Sequence, residues 1–380
     1  MASDGHTCSF CNGTFTSRSK LFQHLRGSGC GAAAGLETRV PLEHVALVVG
    51  VARREWRALL WRALDAARAN AEPSYAPAGP PGASFASDKD AEDLPKACDV
   101  LSLSTEVVPE EARASWCAKA NASLPEDIRI LGRSGPLPKD FCAARCCIRR
   151  YFTCLVPKRL LVDPAGEQNA GYEEPMGETR FGSNRRETLR EQFSRLKEIL
   201  RKFQGEHLFH NFSERALKPK DTLARRFVYR CRAQPQGDQA AADKVALSVA
   251  ADALAPGQLR AMGGLAVALQ WALLPAAYLD AAFSEERLLP LPSLPKDAEF
   301  QEACVFGKDV HHLLRCFFES EEAQSFKRKV EEKISGEVLD EVFEKWFQEL
   351  VPLAQRWRES AAFEGKVPAT PSELTEAEPA

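Results

Sequence analysis

No apolar run in this 380-residue sequence approaches the roughly 18 residues needed to cross a bilayer. The longest, Leu265 to Leu274, is about half that length and reads as a buried helix. Charge of one sign is also missing. Fifty Lys and Arg stand against 53 Asp and Glu, a formal net of -3, so the total gives no pull toward a polyanion. No internal repeat is visible, and no Gly-rich phosphate loop follows a strand. Met1-Ala2-Ser3-Asp4-Gly5 lacks the basic start and apolar core of a secretory signal, and there is no Arg-rich mitochondrial leader. The expected location is nuclear or cytoplasmic, without a membrane. In that reducing setting most of the 12 Cys are expected to be free or metal-bound.

What is present is uneven. Between Ala143 and Arg232 there are 20 Lys and Arg against 11 Asp and Glu, while residues 361–380 hold one Lys and four Glu. A basic centre in a near-neutral chain suits a polyanionic partner. Strands are expected at 44–51, 100–107, 128–131, 150–156, 226–231 and 245–250. Helices are expected at 55–71, 109–121, 185–203, 258–274 and, as one long pattern, 321–359. Leu189, Phe193, Leu196, Ile199 and Leu200 make the stripe of the third. Such alternation without a phosphate loop suggests an α+β fold.

The N-terminus carries Cys8-x2-Cys11-x12-His24-x5-Cys30, the ligand types and spacing of a tetrahedral zinc site. Phe15 and Leu21 sit where a classical finger keeps its small core. Residues 1–31 resemble a C2H2 finger with Cys30 in place of the last His. A structural Zn2+ is expected there, with 32–43 as a linker. One finger reads only about three base pairs, so RNA or protein docking is expected.

Four further segments occur in order. Leu124-Pro125-Glu126-Asp127-Ile128-Arg129-Ile130-Leu131-Gly132 is followed by Asp140-Phe141-Cys142-Ala143-Ala144-Arg145, which leads into Arg150-Tyr151. Then come His210-Asn211-Phe212-Ser213 and Gln258-Leu259-Arg260-Ala261-Met262-Gly263-Gly264. Together these resemble the TruA-type tRNA pseudouridine synthase family over roughly Val45 to Phe306. The resemblance implies two ferredoxin-like (RRM-like) halves, 44–137 and 138–318, sharing an antiparallel sheet with a cleft between them. A C-terminal helical extension at 319–360 and a disordered tail at 361–380 would follow.

The implied reaction isomerises uridine to pseudouridine in tRNA or another structured RNA. It breaks the N1–C1′ bond and rejoins the base through C5, with no cofactor in catalysis. It needs a carboxylate beside C1′, a cation that keeps that carboxylate ionised, and a ring to stack on the base. By resemblance these are Asp88, Arg260 and Tyr151, with Asp90 or Asp93 as alternatives to Asp88. Reaching the uridine requires flipping it out of the stack. Candidate RNA contacts are Lys89, Arg149, Arg150, Arg185, Arg186, His210, Lys218, Lys220, Arg225 and Arg226.

The chain also departs from the family. Ala86 and Asp90 replace the Arg and Gly around the catalytic Asp. Gly257 replaces a His, Ala298-Glu299 replaces a Gly-Leu pair, and the loop after Val51 is short. These departures define two alternatives. One is a catalytically degenerate RNA-binding protein of the same fold. The other is an adaptor that meets a protein partner through the finger or the C-terminal helix.

Overall fold

The computed structural model describes residues 6–7, 14–15, 42–53, 56–67, 83–86, 94–162, 189–236 and 243–359. The four expected zinc ligands, Asp88, Lys89, Asp90, Asp93, Arg185, Arg186, most of the 32–43 linker and the 361–380 tail lie outside them. The chain forms two compact units, one of residues 1–43 and 105–109 and the other of 44–104 and 110–380.

In the first unit, β1 (His6–Thr7) pairs antiparallel with β2 (Thr14–Phe15), with His6 opposite Phe15 and Thr7 opposite Thr14. Among the described residues, the second unit holds nine strands and nine α-helices. In chain order these are β3 (Leu42–Val51), α1 (Arg57–Ala67), β4 (Ser84–Phe85), β5 (Lys96–Glu106), α2 (Arg113–Ala122), β6 (Ile128–Arg133), α3 (Ala143–Cys146) and β7 (Cys147–Pro157). Then follow α4 (Leu189–Arg201), β8 (Gly205–Leu208), β9 (Arg225–Pro235), β10 (Lys244–Ala251), α5 (Gln258–Gln270), α6 (Ala277–Ala282), β11 (Glu299–Phe306), α7 (Lys308–Phe318), α8 (Glu321–Ile334) and α9 (Glu337–Glu359).

The sheet runs β6-β3-β5-β11-β7-β10-β9-β8, with β4 pairing β5. The fold is thus α+β, as expected, but the sheet is mixed rather than wholly antiparallel. β11 meets β5 in parallel at the single pair Gln301 and Lys96. Its direction is set by the long antiparallel ladder with β7. The Gln301 amide reinforces the seam by donating to the Cys98 carbonyl at 3.2 Å.

Val45 to Val49 are fully buried, because both faces of β3 are covered. A side chain at Gly50 would overlap the ring of Phe326, and one at Gly132 the ring of Phe317. Glycine therefore lets α7 and α8 lie directly on β6 and β3. The expected single helix over 321–359 is broken at Ser335-Gly336. Ser320 opens α8 by accepting from the Ala323 amide at 3.1 Å, the usual N-cap arrangement.

Candidate active-site cleft

Helix α5 is apolar and buried along nearly its whole length, so a cation within it requires anionic partners. Arg260, 6% exposed, has two. It donates to the Glu214 carboxylate through a short hydrogen bond, and its Nε lies 3.4 Å from Glu299 Oε2. Its Nη1 also donates to Ser293 Oγ at 3.3 Å and to the Leu294 carbonyl at 3.2 Å. Glu214 is held in turn by its amide, which donates to the Pro256 carbonyl at 2.9 Å. Lys296 Nζ stands 3.7 Å from the same Glu214 oxygen.

Arg260, Glu214, Glu299, Pro256 and Lys296 line a cleft of about 660 Å³ together with Ala52, Arg53, Phe152, Gly257 and Lys333. Gly257 has a φ of 75°, where a non-glycine residue is strained. A Cβ there would also meet the Glu214 side chain and Arg260 Nη2. A side chain at this position would therefore displace the Glu214–Arg260 pair.

The two carboxylates differ. Burial alone would raise the Glu214 carboxyl, but the hydrogen bond and charge of Arg260, with help from Lys296, hold it below its usual range. Glu299 is deeper. Burial pushes it up to about 7, against the pull of Arg260. A carboxyl raised in the folded state binds protons that the unfolded chain has released. Its stabilising contribution is full below about 4.5 and is lost as pH rises through about 7. The melting temperature is expected to fall between pH 5 and 8. Glu299→Gln is expected to flatten that fall in a thermal-melt series; an unchanged slope would assign the pH dependence to other groups.

The other expected site residues are distributed as follows. Tyr151 is half-buried on β7, opposite Ala250 on one side and Ala303 on the other. Its neighbour Phe152 lines the cleft and Tyr151 does not, since successive strand residues face opposite ways. Arg150 is buried, and its guanidinium donates to the backbone carbonyls of Ala86 (2.7 Å) and Asp252. It ties β7 to two loops and is not offered to a phosphate. His210 is likewise buried. It bonds the Arg287 carbonyl at 2.9 Å, and burial lowers its pKa. Asn211 donates to the Ala282 and Arg287 carbonyls and accepts from Leu289. The His-Asn-Phe segment therefore pins a loop to the region after α6.

Lys218, Lys220 and Arg225 are exposed, and Arg149 and Arg226 are half-buried. Arg225 is paired with Glu206 at 3.1 Å. Glu214 and Glu299 were not among the expected site residues. The signal for them was the demand of a buried Arg260 for negative partners, which fixes their charge but not their positions.

Compared with models of known protein families, the chain matches none, and no curated protein matches its sequence.

Proposed function

We propose that the chain is an RNA pseudouridine synthase acting on tRNA or another structured RNA. The observation that carries this is the buried Arg260 at the wall of the cleft, with its guanidinium directed at carboxylates. The reaction needs such a fixed cation to keep an acid ionised beside C1′, and Arg260 does hold the Glu214 carboxyl below its usual range. The strand orders support the same reading. β6-β3-β5-β4 and β11-β7-β10-β9 each have the connection and order of a ferredoxin-like half, with β8 added at an edge. In this reading Asp88 attacks C1′ or assists base departure and Arg260 stabilises its charge, while the stacking role that the resemblance gives Tyr151 is not met in this cleft, which Phe152 lines instead.

A second reading is favoured by one observation. Glu214 and Glu299 already neutralise Arg260, as in a degenerate synthase that retains RNA binding. The experiment is the pseudouridine content of uridine-containing tRNA after incubation with the protein. Product supports the enzyme; no product with intact RNA binding supports the second reading.

The zinc site belongs to the same proposal. The β1–β2 pairing flanks the sequence segment that holds Cys8 and Cys11, as the strands of a finger flank its first two ligands. The metal would be structural and would take no part in the reaction. Elemental analysis is expected to find one zinc per chain, with Cys8→Ser losing it. Full retention of zinc in Cys8→Ser would remove this assignment.

A further inference from the structure

Strand β9 exposes two aromatic rings side by side. Phe227 and Tyr229 are each 40% exposed, with ring centroids 4.8 Å apart. Two apolar rings left in water side by side on a strand call for a partner. The Arg149 guanidinium lies over the Tyr229 ring at 4.2 Å. It reaches from β7 across β10, which presents only the small Ala250 and Ala251 at this level. Arg149 Nε and Arg226 Nε are buried and find no hydrogen-bond acceptor among the described residues.

The backbone builds this arrangement. The ladder with β10 pairs Ala250 with Arg230 and Ala251 with Val228, so Tyr229 is the extra residue of a bulge. The bulge shifts the phase of β9. Tyr229 and Arg230 are both exposed, while Val228 and Cys231 face the core. Beyond the bulge, β9 borders a groove of about 710 Å³ whose charged lining is Lys197, Arg201, Arg230 and Arg232. Among the described residues, no acidic side chain lines this groove and none of the four cations has an ion pair. Two acids stand near the rings among the described residues: Glu206, opposite Phe227 on β8 and paired with Arg225 at 3.1 Å, and Asp252, engaged by the amides of Phe227 (3.3 Å) and Ala253 (2.6 Å).

We infer that β9 carries a stacking subsite for unpaired RNA: Phe227 and Tyr229 hold successive bases, and the cation-lined groove tracks the phosphates. Paired rings accept any base, and unpaired guanidiniums supply the charge that a single strand requires. A double helix, with its bases stacked inside, has nothing to offer the rings. The subsite goes beyond the synthase reading and does not depend on turnover. A protein without synthase activity that still binds through Tyr229 would sink that reading and leave this one standing.

The test is fluorescence anisotropy of the full chain with a labelled oligouridylate of about ten nucleotides. Phe227→Ala with Tyr229→Ala is expected to weaken binding about a hundred-fold, or tenfold per base lost, without changing its salt dependence. Tyr229→Phe, which keeps the ring, should bind within about twofold of wild type. Arg230→Gln with Arg232→Gln should reduce the slope of log affinity against log salt by about 1.4, the value for two contacts to a single strand. The inference is overturned if the double aromatic variant melts and binds like wild type. It is equally overturned if blunt duplex RNA binds as tightly as the oligouridylate, or if polyglutamate displaces the RNA at equal charge.

Discussion

Asp88→Ala is expected to abolish pseudouridine formation, by about a thousand-fold or more, while leaving RNA affinity and melting temperature near wild type. Removing the group that forms or breaks a bond at the reacting carbon carries losses of that order, because the remaining residues cannot replace it. Asp88 belongs to a polar stretch, Ser87-Asp88-Lys89-Asp90. The preceding Ala86 is fixed on both sides. Its amide donates to the Val100 carbonyl at 2.7 Å, and its carbonyl accepts from Arg150. Parallel assays with Asp90→Ala and Asp93→Ala distinguish the three acids. Product that survives Asp88→Ala and disappears in Asp90→Ala would move the catalytic role by two residues.

The second large effect is on stability. Arg260→Ala is expected to destabilise the protein by roughly 3–5 kcal/mol at pH 8, the cost of leaving a buried carboxylate without its partner. At about 2–4 °C per kcal/mol, the melting temperature should fall by on the order of 10 °C. The loss should be smaller at pH 5. Glu299, already pushed up to about 7 by burial, takes a proton there and no longer needs the cation. Arg260→Met combined with Glu299→Gln is expected to recover most of the stability, since it removes both charges together, but to recover no synthase activity. A full loss of stability in the double variant would mean that Arg260 acts through its bonds to Ser293 and Leu294 instead.

Much of the fold was legible because periodicity is local. The run Val45 to Val49 reads as a strand buried on both faces and is one. The stripe Phe193, Leu196 and Leu200 lies on α4, and Arg225 to Pro235 extends the expected strand at both ends. The elements not anticipated have physical reasons. β11 reads Glu-Phe-Gln-Glu-Ala-Cys-Val-Phe and buries Glu299 and Gln301, so its polar residues hide a central strand. Residues 321–359 keep one apolar stripe through Ser335-Gly336, and only the backbone turn separates α8 from α9. The seam Gln301–Lys96 joins strands far apart in sequence, and no local pattern encodes it.

The site divides along the same line. A buried Arg260 in need of an anion was legible from the apolar residues around it. That the anions are Glu214 and Glu299 was not, because one follows a loop motif and the other sits in the strand that the sequence concealed. Arg150 and His210 were expected RNA contacts, and both lie in segments that carry the family resemblance. Burial assigns both to holding loops, and burial is a property of the whole fold. Phe227 and Tyr229 alternate like ordinary strand residues, and only their exposure separates them from core aromatics.

The central claim is tested most directly by tritium release from tRNA labelled at uridine C5. Rejoining the base through C5 must expel that hydrogen, and no binding event does so. The account predicts that the wild-type protein releases tritium in proportion to the pseudouridine formed and that Asp88→Ala releases none. Tritium retained across total unmodified tRNA, while the same preparation binds that tRNA with steep salt dependence, would contradict it.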